Sequence, residues 1–255
     1  TKPLKSKQDA QRAEQPLENN EISIGKIKNL LADSDDIVFN KLNINHEEDL
    51  SITVMLVDGM TDSKMIDDNV LKPLMQENVL GESISEEKII DLIMHGTVYH
   101  CQRKKREKLD ECISDLLSGS VVLVFDNLKL ALSFEAKGFD KRSITEPTNE
   151  NVLKGSKEAF IESLRSNTSL IRRRINSSNL KIQQLSIGRE SKTKICITYI
   201  QGIANPDTVK ELKKRIEKSD IDGISTLGQI EELIKGSSNS IFPQVLYTER
   251  VDKFC

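Results

Sequence analysis

The sequence contains two copies of one pattern, and this repeat limits the possible folds more than any other feature. Placing Leu42 on Leu185, 143 positions later, aligns residues 36–62, DIVFNKLNINHEEDLSITVMLVDGMTD, with residues 179–205, NLKIQQLSIGRESKTKICITYIQGIAN. The matching positions include Ile37 with Leu180, Phe39 with Ile182, Ile52 with Ile195, Val54 with Ile197, Val57 with Ile200, Gly59 with Gly202 and Ile66 with Val209. Each copy reads as two strands, a glycine turn and the start of a helix. The spacing therefore predicts two copies of one α/β unit.

The patterns around the repeat divide the chain into four regions. Residues 1–35 are mostly polar, and we expect a flexible N-terminal arm with a short helix near GKIKNLLADS. Residues 36–150 form the first α/β unit, which includes a second hairpin, VVLVFDNLKLALSF. Residues 151–178 are predicted to be one long connecting helix, and residues 179–255 form the second unit. The expected fold class is α/β, with two repeated mixed-sheet subdomains joined by a long helix.

The second copy is shorter than the first. In the first unit, the predicted strand TVYHC is followed by a helix, KREKLDECISDLLSG, and then by the second hairpin. In the second unit, the predicted strand QVLYTER is followed only by VDKFC. If the two copies are equivalent, we expect the natural protein to continue past Cys255 with a helix and a hairpin. The second unit should then have the smaller sheet.

Three consecutive arginines, Arg172, Arg173 and Arg174, end the predicted connecting helix. Apolar or small residues recur every three or four positions along it, at Phe160, Leu164, Thr168, Ile171 and Ile175. Successive residues turn by about 100°, so the arginines fan around the flank opposite this stripe, where cations oppose the helix dipole. The pattern leaves two interpretations open: solvated or salt-bridged arginines, or a contact with a partner or phosphate. Replacing all three should cost less stability than Phe160→Ala.

Both copies end a strand in glycine and then begin a helix. In the second copy Asn205 and Pro206 follow the order of helix cap and first helical residue. One interpretation is a ligand anion held near Gly202 and Asn205 at an exposed helix N-terminus. The other is a tight strand-to-helix turn, since neither site has the several glycines of a phosphate loop. Asp58 would repel an anion in the first copy, whereas the second has Gln201 there.

Other local signals exclude several classes of function. The basic run CQRKKREK is followed by acidic residues that pair with it on the predicted helix, and it lacks the interleaved aromatic residues of a nucleic-acid site. The four cysteines, Cys101, Cys112, Cys196 and Cys255, lack zinc-ligand spacing and indicate reduced thiols without a metal. No nucleophile motif accompanies the three histidines, so we expect no enzyme and no cofactor. The net charge of −3 gives no general attraction to nucleic acid.

The sequence from about Asp36 to the C-terminus resembles the GerA family of spore germination receptor A subunits. The residues that carry the resemblance are Glu146-Pro147, Gly155, Phe160, Glu162, Leu164, Asn167, the arginine triplet, Ala204-Asn205-Pro206 and the segment FPQVLYTER. The chain departs from the family pattern at Ser156, where proline is usual, and at Gln229, where tyrosine is frequent.

The resemblance implies a hydrophilic N-terminal domain, soluble and on the cytoplasmic (spore core) side, of a protein in the spore inner membrane. It implies a receptor B subunit and a lipoprotein C subunit as partners, homo-oligomers that form an ion channel, and a shape like two-lobed solute-binding proteins. It also places the arginine triplet in the family motif. We therefore expect Asn167, Arg172, Arg173 and Arg174 to form a coupling surface between units or subunits.

Two functional hypotheses follow from these expectations. The first is a non-catalytic receptor module that couples nutrient sensing to germination through subunit and interdomain contacts. The second is a small-molecule ligand-binding domain with a nutrient site between the two subdomains, near Gly202 and Asn205.

Overall fold

The fold was described from a computed structural model, which covers residues 20–43, 51–72, 85–95, 102–138, 158–224, 226–235 and 244–255. The strands are β1 (Ile37–Asn43), β2 (Ser51–Val57), β3 (Arg103–Arg106), β4 (Val121–Phe125), β5 (Leu130–Phe134), β6 (Leu180–Ile187) and β7 (Thr193–Ile200). The helices are α1 (Ile24–Leu30), α2 (Ser63–Ile66), α3 (Glu86–His95), α4 (Leu109–Leu117), α5 (Leu164–Arg174), α6 (Pro206–Glu217), α7 (Leu227–Ile234) and α8 (Val251–Phe254). A single π-helical turn, Asp67–Leu71, continues α2.

The first unit is built around a five-stranded sheet in the order β1-β2-β4-β5-β3. Every residue of β4 and β5 is buried, because helices cover both faces of the sheet. On one face Leu123 and Phe125 pack with Ile89 and Ile93 of α3. On the other face the core includes residues of α1 and α4, which are Ile27, Leu109, Cys112, Ile113, Leu116 and Leu117. Burying each such aliphatic side chain contributes about 1.5–3 kcal/mol, so the two faces dominate the stability of this unit.

The second unit has a two-stranded sheet, β6-β7, among the described residues. Its apolar contacts fall into two small clusters. Ile171 of α5 packs on Leu180 and Ile182. Ile216 of α6 packs on Ile187 and Ile197. The sheet is thus smaller than that of the first unit, as the shorter second copy led us to expect.

The repeat is visible in the backbone. In β1-β2 Ile37 lies opposite Val57, and in β6-β7 Leu180 lies opposite Ile200, the same register shifted by 143 positions. The hydrogen bond that closes each pair of strands is also shared, from the amide of Asp58 to Asp36 O and from the amide of Gln201 to Asn179 O, both 2.8 Å. Gly59 and Gly202 follow with φ of 78° and 85°, a region that favours glycine. The helices α2 and α6 then begin at equivalent positions.

Several predicted elements differ from those observed. All strand pairs in the described sheets are antiparallel, so the predicted mixed sheets are wrong. Residues 103–106 form β3 rather than the start of a helix, because they pair with β5. Residues 244–248 form no strand, and the only bridge of the predicted QVLYTER strand joins Arg250 to Ala159. The predicted strand TVYHC lies outside the described residues.

The N-terminal and connecting regions also differ from the prediction. The short helix is present as α1, but Ile22 and Ile27 are fully buried in the core that α1 and α4 share. Residues 20–35 are therefore not a free arm. Of the predicted helix over 151–178, residues 158–178 are described, and within them helix is observed only at Leu164–Arg174. Residues 158–163 precede it in extended or bent conformations, and a bridge between Ala159 and Arg250 holds them. Backbone pairing with the C-terminal segment replaces helix at this point. The division into four regions stays a prediction.

Candidate functional site: the arginine helix between the units

The arginine helix, α5, lies where the two units meet, and local side chains set its start. Ser163 caps it by accepting a hydrogen bond from the amide of Ser166 at 3.3 Å. Asn167 fixes the chain just before the helix, because its amide group accepts from Ile161 N at 2.9 Å and donates to Ile161 O at 2.6 Å. The predicted coupling residue Asn167 is therefore a positioning residue for the helix entry.

Arg172 is completely buried and binds the first unit to the second. Its Nε and Nη2 donate to the two carboxylate oxygens of Asp36 at 2.9 and 2.8 Å, and both side chains are almost inaccessible to solvent. Its Nη1 donates to Ser177 O and Leu180 O, both at 3.1 Å. Asp36 precedes β1 and Leu180 begins β6, so one guanidinium joins the starts of both repeated hairpins.

The burial of Arg172 corrects the prediction that all three arginines fan around the flank opposite the apolar stripe, although its ion pair with Asp36 fits the salt-bridged interpretation. Its face of α5 includes Thr168, four residues earlier, which is also buried. The spacing of Thr168 and Ile175 about Arg172 was the available signal for its burial. The sequence does not single out Asp36 as its partner, because Asp33 and Asp35 stand close before it. Sequence alone does not pair Arg172 with Asp36, because 136 positions separate them.

Arg173 and Arg174 both form salt bridges with Glu158. Their Nη2 atoms donate to the two carboxylate oxygens at 2.6 and 3.1 Å, and all three side chains are partly exposed. The salt-bridged interpretation fits these two arginines. Because Glu158 precedes the segment that bridges Arg250, the pair ties the end of α5 to the C-terminal residues. Phe160, which was predicted to lie in the helix, packs edge-on against Phe254 with ring centroids 5.4 Å apart.

The segment between α1 and β1, residues 31–36, also docks on the second unit. It runs along the outer edge of β6, where Ser34 forms a parallel bridge with Ile182. The polar contacts are Asp35 N to Ile182 O at 2.8 Å, Gln184 N to Asp35 Oδ2 at 2.7 Å, Gln183 Nε2 to Asp33 Oδ1 at 2.6 Å and Lys181 Nζ to Leu30 O at 2.8 Å. Burial lowers the pKa of the Lys181 ammonium, and the nearby Arg172 lowers it further against the opposing effect of Asp33. The junction is thus polar and specific in its geometry.

The two glycine turns have different surroundings. At Gly59 an added Cβ would lie 2.9 Å from Arg165 O of α5, and the neighbouring Asp58 carboxylate accepts from Arg165 Nε at 2.7 Å. At Gly202 no atom of the described residues lies within 4 Å of the same position, and the next residue, Ile203, is 64% exposed. The first turn is covered by the arginine helix, and the second is open.

The predicted ligand residues Gly202 and Asn205 lie together in this open turn. Asn205 acts as the cap of α6, since its Oδ1 accepts from Asp207 N at 2.9 Å, and Pro206 occupies the first helical turn. The order of cap and proline is confirmed. The side-chain oxygen of Asn205 is therefore engaged by the helix, which favours the tight-turn interpretation over an anion site.

The titratable groups of the described segments form no catalytic constellation. No group of three or more potential metal-ligating side chains occurs among them. Burial raises the pKa of the Cys112 thiol to about 12 and that of Cys196 to about 11, so both are poor nucleophiles near neutral pH. No helix in the described part of the chain is long and apolar enough to cross a membrane.

The sequence from residue 25 to residue 255 matches the family model described as the Bacillus/Clostridium GerA spore germination protein. The chain belongs to the GerA family. Spore germination protein KA of Bacillus subtilis (strain 168) is 32% identical over 230 residues, which cover 90% of this chain and 42% of that protein. Spore germination protein B1 of the same organism is 33% identical over 237 residues, covering 93% of this chain and 47% of that protein. This GerA-family chain thus spans less than half the length of both relatives.

The fold is similar to a solved structure of the same family. The crystal structure of the N-terminal domain of the A subunit of the Bacillus megaterium spore germinant receptor GerK3 superposes with a TM-score of 0.66 at 27% identity. The match covers 94% of this chain and 89% of that one. The GerA resemblance predicted from the sequence is confirmed. The chain departs from the family pattern at Gln229, yet α7 is still capped there, because Gln229 Oε1 accepts from Thr226 N at 3.3 Å. The other departure, Ser156, lies outside the described residues.

Proposed function

We propose that this chain is a non-catalytic module of a germinant receptor that couples nutrient sensing to germination through contacts between its two units and with partner subunits. The observation that carries the proposal is the buried, bidentate pair of Arg172 and Asp36 at the junction. Buried ion pairs add little net stability compared with apolar packing, but they require one particular geometry. A contact of this kind is suited to holding two units in a defined relation.

The junction makes the relation of the units sensitive to small movements. A shift of α5 against β1 would break two charge-assisted hydrogen bonds and leave both charges buried. Arg165, which lies on the same helix, pairs with Asp58 and adds a further contact to the first unit. A displacement imposed on one unit is therefore expected to move the arginine helix and the other unit with it, rather than to dissipate at the junction.

The proposal includes the partners and location that the family resemblance implies. A receptor B subunit, a lipoprotein C subunit and further copies of the A subunit would contact this domain. The full protein would lie in the spore inner membrane with this domain on the core side, and membrane-spanning parts of the receptor would conduct ions. The relatives that carry spore germination names support a receptor role over an enzymatic one.

The test uses the full-length receptor in spores. Arg172→Met removes the cation but keeps an unbranched apolar side chain, and it should impair the germination response to nutrient. Arg174→Gln, a partly exposed member of the same triplet, is the matched control and should leave germination near the wild-type rate. Receptor levels are measured in parallel by immunoblotting. A normal response from Arg172→Met spores with normal receptor levels would remove the coupling role.

The alternative function is binding of a small nutrient between the two subdomains, near Gly202 and Asn205. The open space at Gly202 is the observation that favours it. The capping bond of Asn205 opposes it, since an anionic ligand group would have to displace the Asn205 oxygen from the Asp207 amide. Calorimetric titration of the domain with single amino acids and sugars separates the two functions. Saturable heat that Gly202→Ala abolishes supports binding, and a flat response favours coupling alone.

A further inference from the structure

We propose that the outer edge of β1, at Phe39–Lys41, is a docking site for an extended acidic segment of a partner protein. The proposal goes beyond the coupling function and does not depend on it. It follows from comparing this edge with the equivalent edge of the second unit, which the chain covers itself.

The covered edge shows how such a segment binds. Residues 33–36 lie along β6, where Asp35 N donates to Ile182 O and the Asp35 carboxylate accepts from the Gln184 amide. Asp33 adds a bond from Gln183. The repeat places Phe39 at the position of Ile182 and Lys41 at that of Gln184. The same carbonyl and amide should therefore be available on β1.

The backbone of β1 confirms the direction of these groups. The amide of Ile37 donates to Ser34 O, away from β2, as the equivalent amide of Leu180 donates to Ser177 O. Alternate residues of an antiparallel strand direct their backbone groups to the same side, so Phe39 and Lys41 also face outward. Among the described strands none pairs with this edge, and Asn40 and Lys41 are exposed. An extended peptide can bind to an exposed edge of this kind by adding a strand to the sheet.

A cleft of about 700 Å³ runs beside the open edge. Its apolar walls come from β1, β2 and the end of α2, and they include Leu42, Val54, Leu56, Ile66 and Leu71. The π-helical turn, Asp67–Leu71, forms one side, whereas α6 at the equivalent place is a regular helix of 12 residues. π-Helical turns occur frequently at functional sites. Apolar side chains of an added segment would enter this cleft.

The charges around the edge favour an acidic occupant. Lys28 lies 5.8 Å above the Phe39 ring, and Lys41 and Lys72 line the cleft. Lys72 is paired with Asp68, and Asp67 also lines the cleft, so the attraction comes from Lys28 and Lys41. On the covered edge the segment supplies two carboxylates, those of Asp33 and Asp35. Residues 31–36 are already bound to β6, so we assign the occupant of β1 to another molecule.

The probe for this site is the acetylated and amidated peptide LADSDDI, which copies residues 31–37. Added to the ¹⁵N-labelled chain, it should produce saturable shifts in the amide signals of Phe39–Leu42 and of Leu71–Lys72. The peptide LANSNDI, which lacks the carboxylates of Asp33 and Asp35, is the control and should bind more weakly. Shifts confined to Ile182–Gln184, or no saturable shifts, would overturn the proposal. Equal binding of LANSNDI would also overturn it.

Proline substitution tests the edge itself. Lys41→Pro removes an outward amide without removing a bond to β2, and it should weaken binding about tenfold, the loss expected for one net hydrogen bond. Lys194→Pro is the matched control on the outer side of β7 and should bind as the wild type does. Lys41→Glu keeps the amide but reverses the charge, which also weakens binding if the site selects acidic segments. Unchanged affinity in Lys41→Glu and in a folded Lys41→Pro would contradict docking on β1.

Discussion

The two copies of the repeated hairpin share a backbone register but differ in what covers them. In the first unit, helices pack on both faces of a five-stranded sheet, and its two cores contain twelve and fifteen buried residues among those described. In the second unit, each of the two clusters has three. The first hairpin is thus stabilised within its own unit. The second depends on contacts across the junction, through Arg172, Lys181 and the segment of residues 31–36.

The same contrast appears at single positions. The equivalent glycines have the same conformation, yet Gly59 lies against α5 and Gly202 is open. Among the described residues, the equivalent outer edge is covered in β6 and open in β1. Each unit therefore leaves open a surface that is covered in the other. The repeat provides internal controls, because the same substitution can be made at two equivalent positions that share one backbone geometry.

The largest effect is expected when the junction is broken. Arg172→Met leaves the Asp36 carboxylate buried without its cation, which should lower the free energy of unfolding by about 3–5 kcal/mol. Chemical denaturation measures this loss, and hydrogen exchange should show greater opening of β6 and β7 than of β4. The double change Arg172→Met with Asp36→Leu should cost less than the sum of the two single changes. Additive losses would mean that the two residues act independently.

The glycine pair sharpens the comparison of the turns. Alanine at either position incurs the cost of a positive φ, about 1–2 kcal/mol. Gly59→Ala must in addition displace the backbone of α5 at Arg165, so its total loss should reach roughly 2–4 kcal/mol. Thermal or chemical unfolding of the two variants gives the difference directly. Equal losses at both glycines would show that α5 does not pack closely on the first turn.

Phe160→Ala should have an intermediate effect. Phe160 is partly buried and contacts Phe254 edge-on rather than filling the centre of a helix interface. Its loss should cost about 1–3 kcal/mol, below the 3–5 kcal/mol of a fully buried phenylalanine. Denaturation of Phe160→Ala and Phe160→Leu measures it, and leucine should restore part of the stability. A loss above that of Arg172→Met would reverse the order proposed for the junction.

The smallest effect is expected at Arg173 and Arg174. Their bonds to Glu158 are partly exposed, and such pairs contribute about 0–1 kcal/mol each. Replacing both by glutamine should change unfolding little, whereas adding Arg172→Gln should cause most of the loss. This order differs from the expectation that replacing all three arginines costs less stability than Phe160→Ala, and the same measurements decide between the two. If the double variant is as unstable as Arg172→Met, the buried member of the triplet has no special role.

Sequence periodicity was sufficient for the repeat, the two predicted hairpins, α1 and the cap at Asn205. These features depend on residues close together in the chain, where spacing, turn chemistry and capping determine the backbone. The GerA resemblance could also be recognised from the sequence alone, because it rests on residues in a characteristic order along the chain. Periodicity failed at residues 103–106 and 158–163, where a local helical pattern was overridden by pairing with strands or segments distant in sequence.

The tertiary structure alone decided which arginine is buried and which turn is open. Arg172, Arg173 and Arg174 have the same chemistry and adjacent positions, so only the arrival of Asp36 from the first unit distinguishes the first of them. Gly59 and Gly202 likewise have equivalent local sequences, and the packing of α5 on one of them separates their environments. Local sequence determines backbone conformation because its causes act within a few residues. Burial and pairing depend on what the rest of the chain brings to the site.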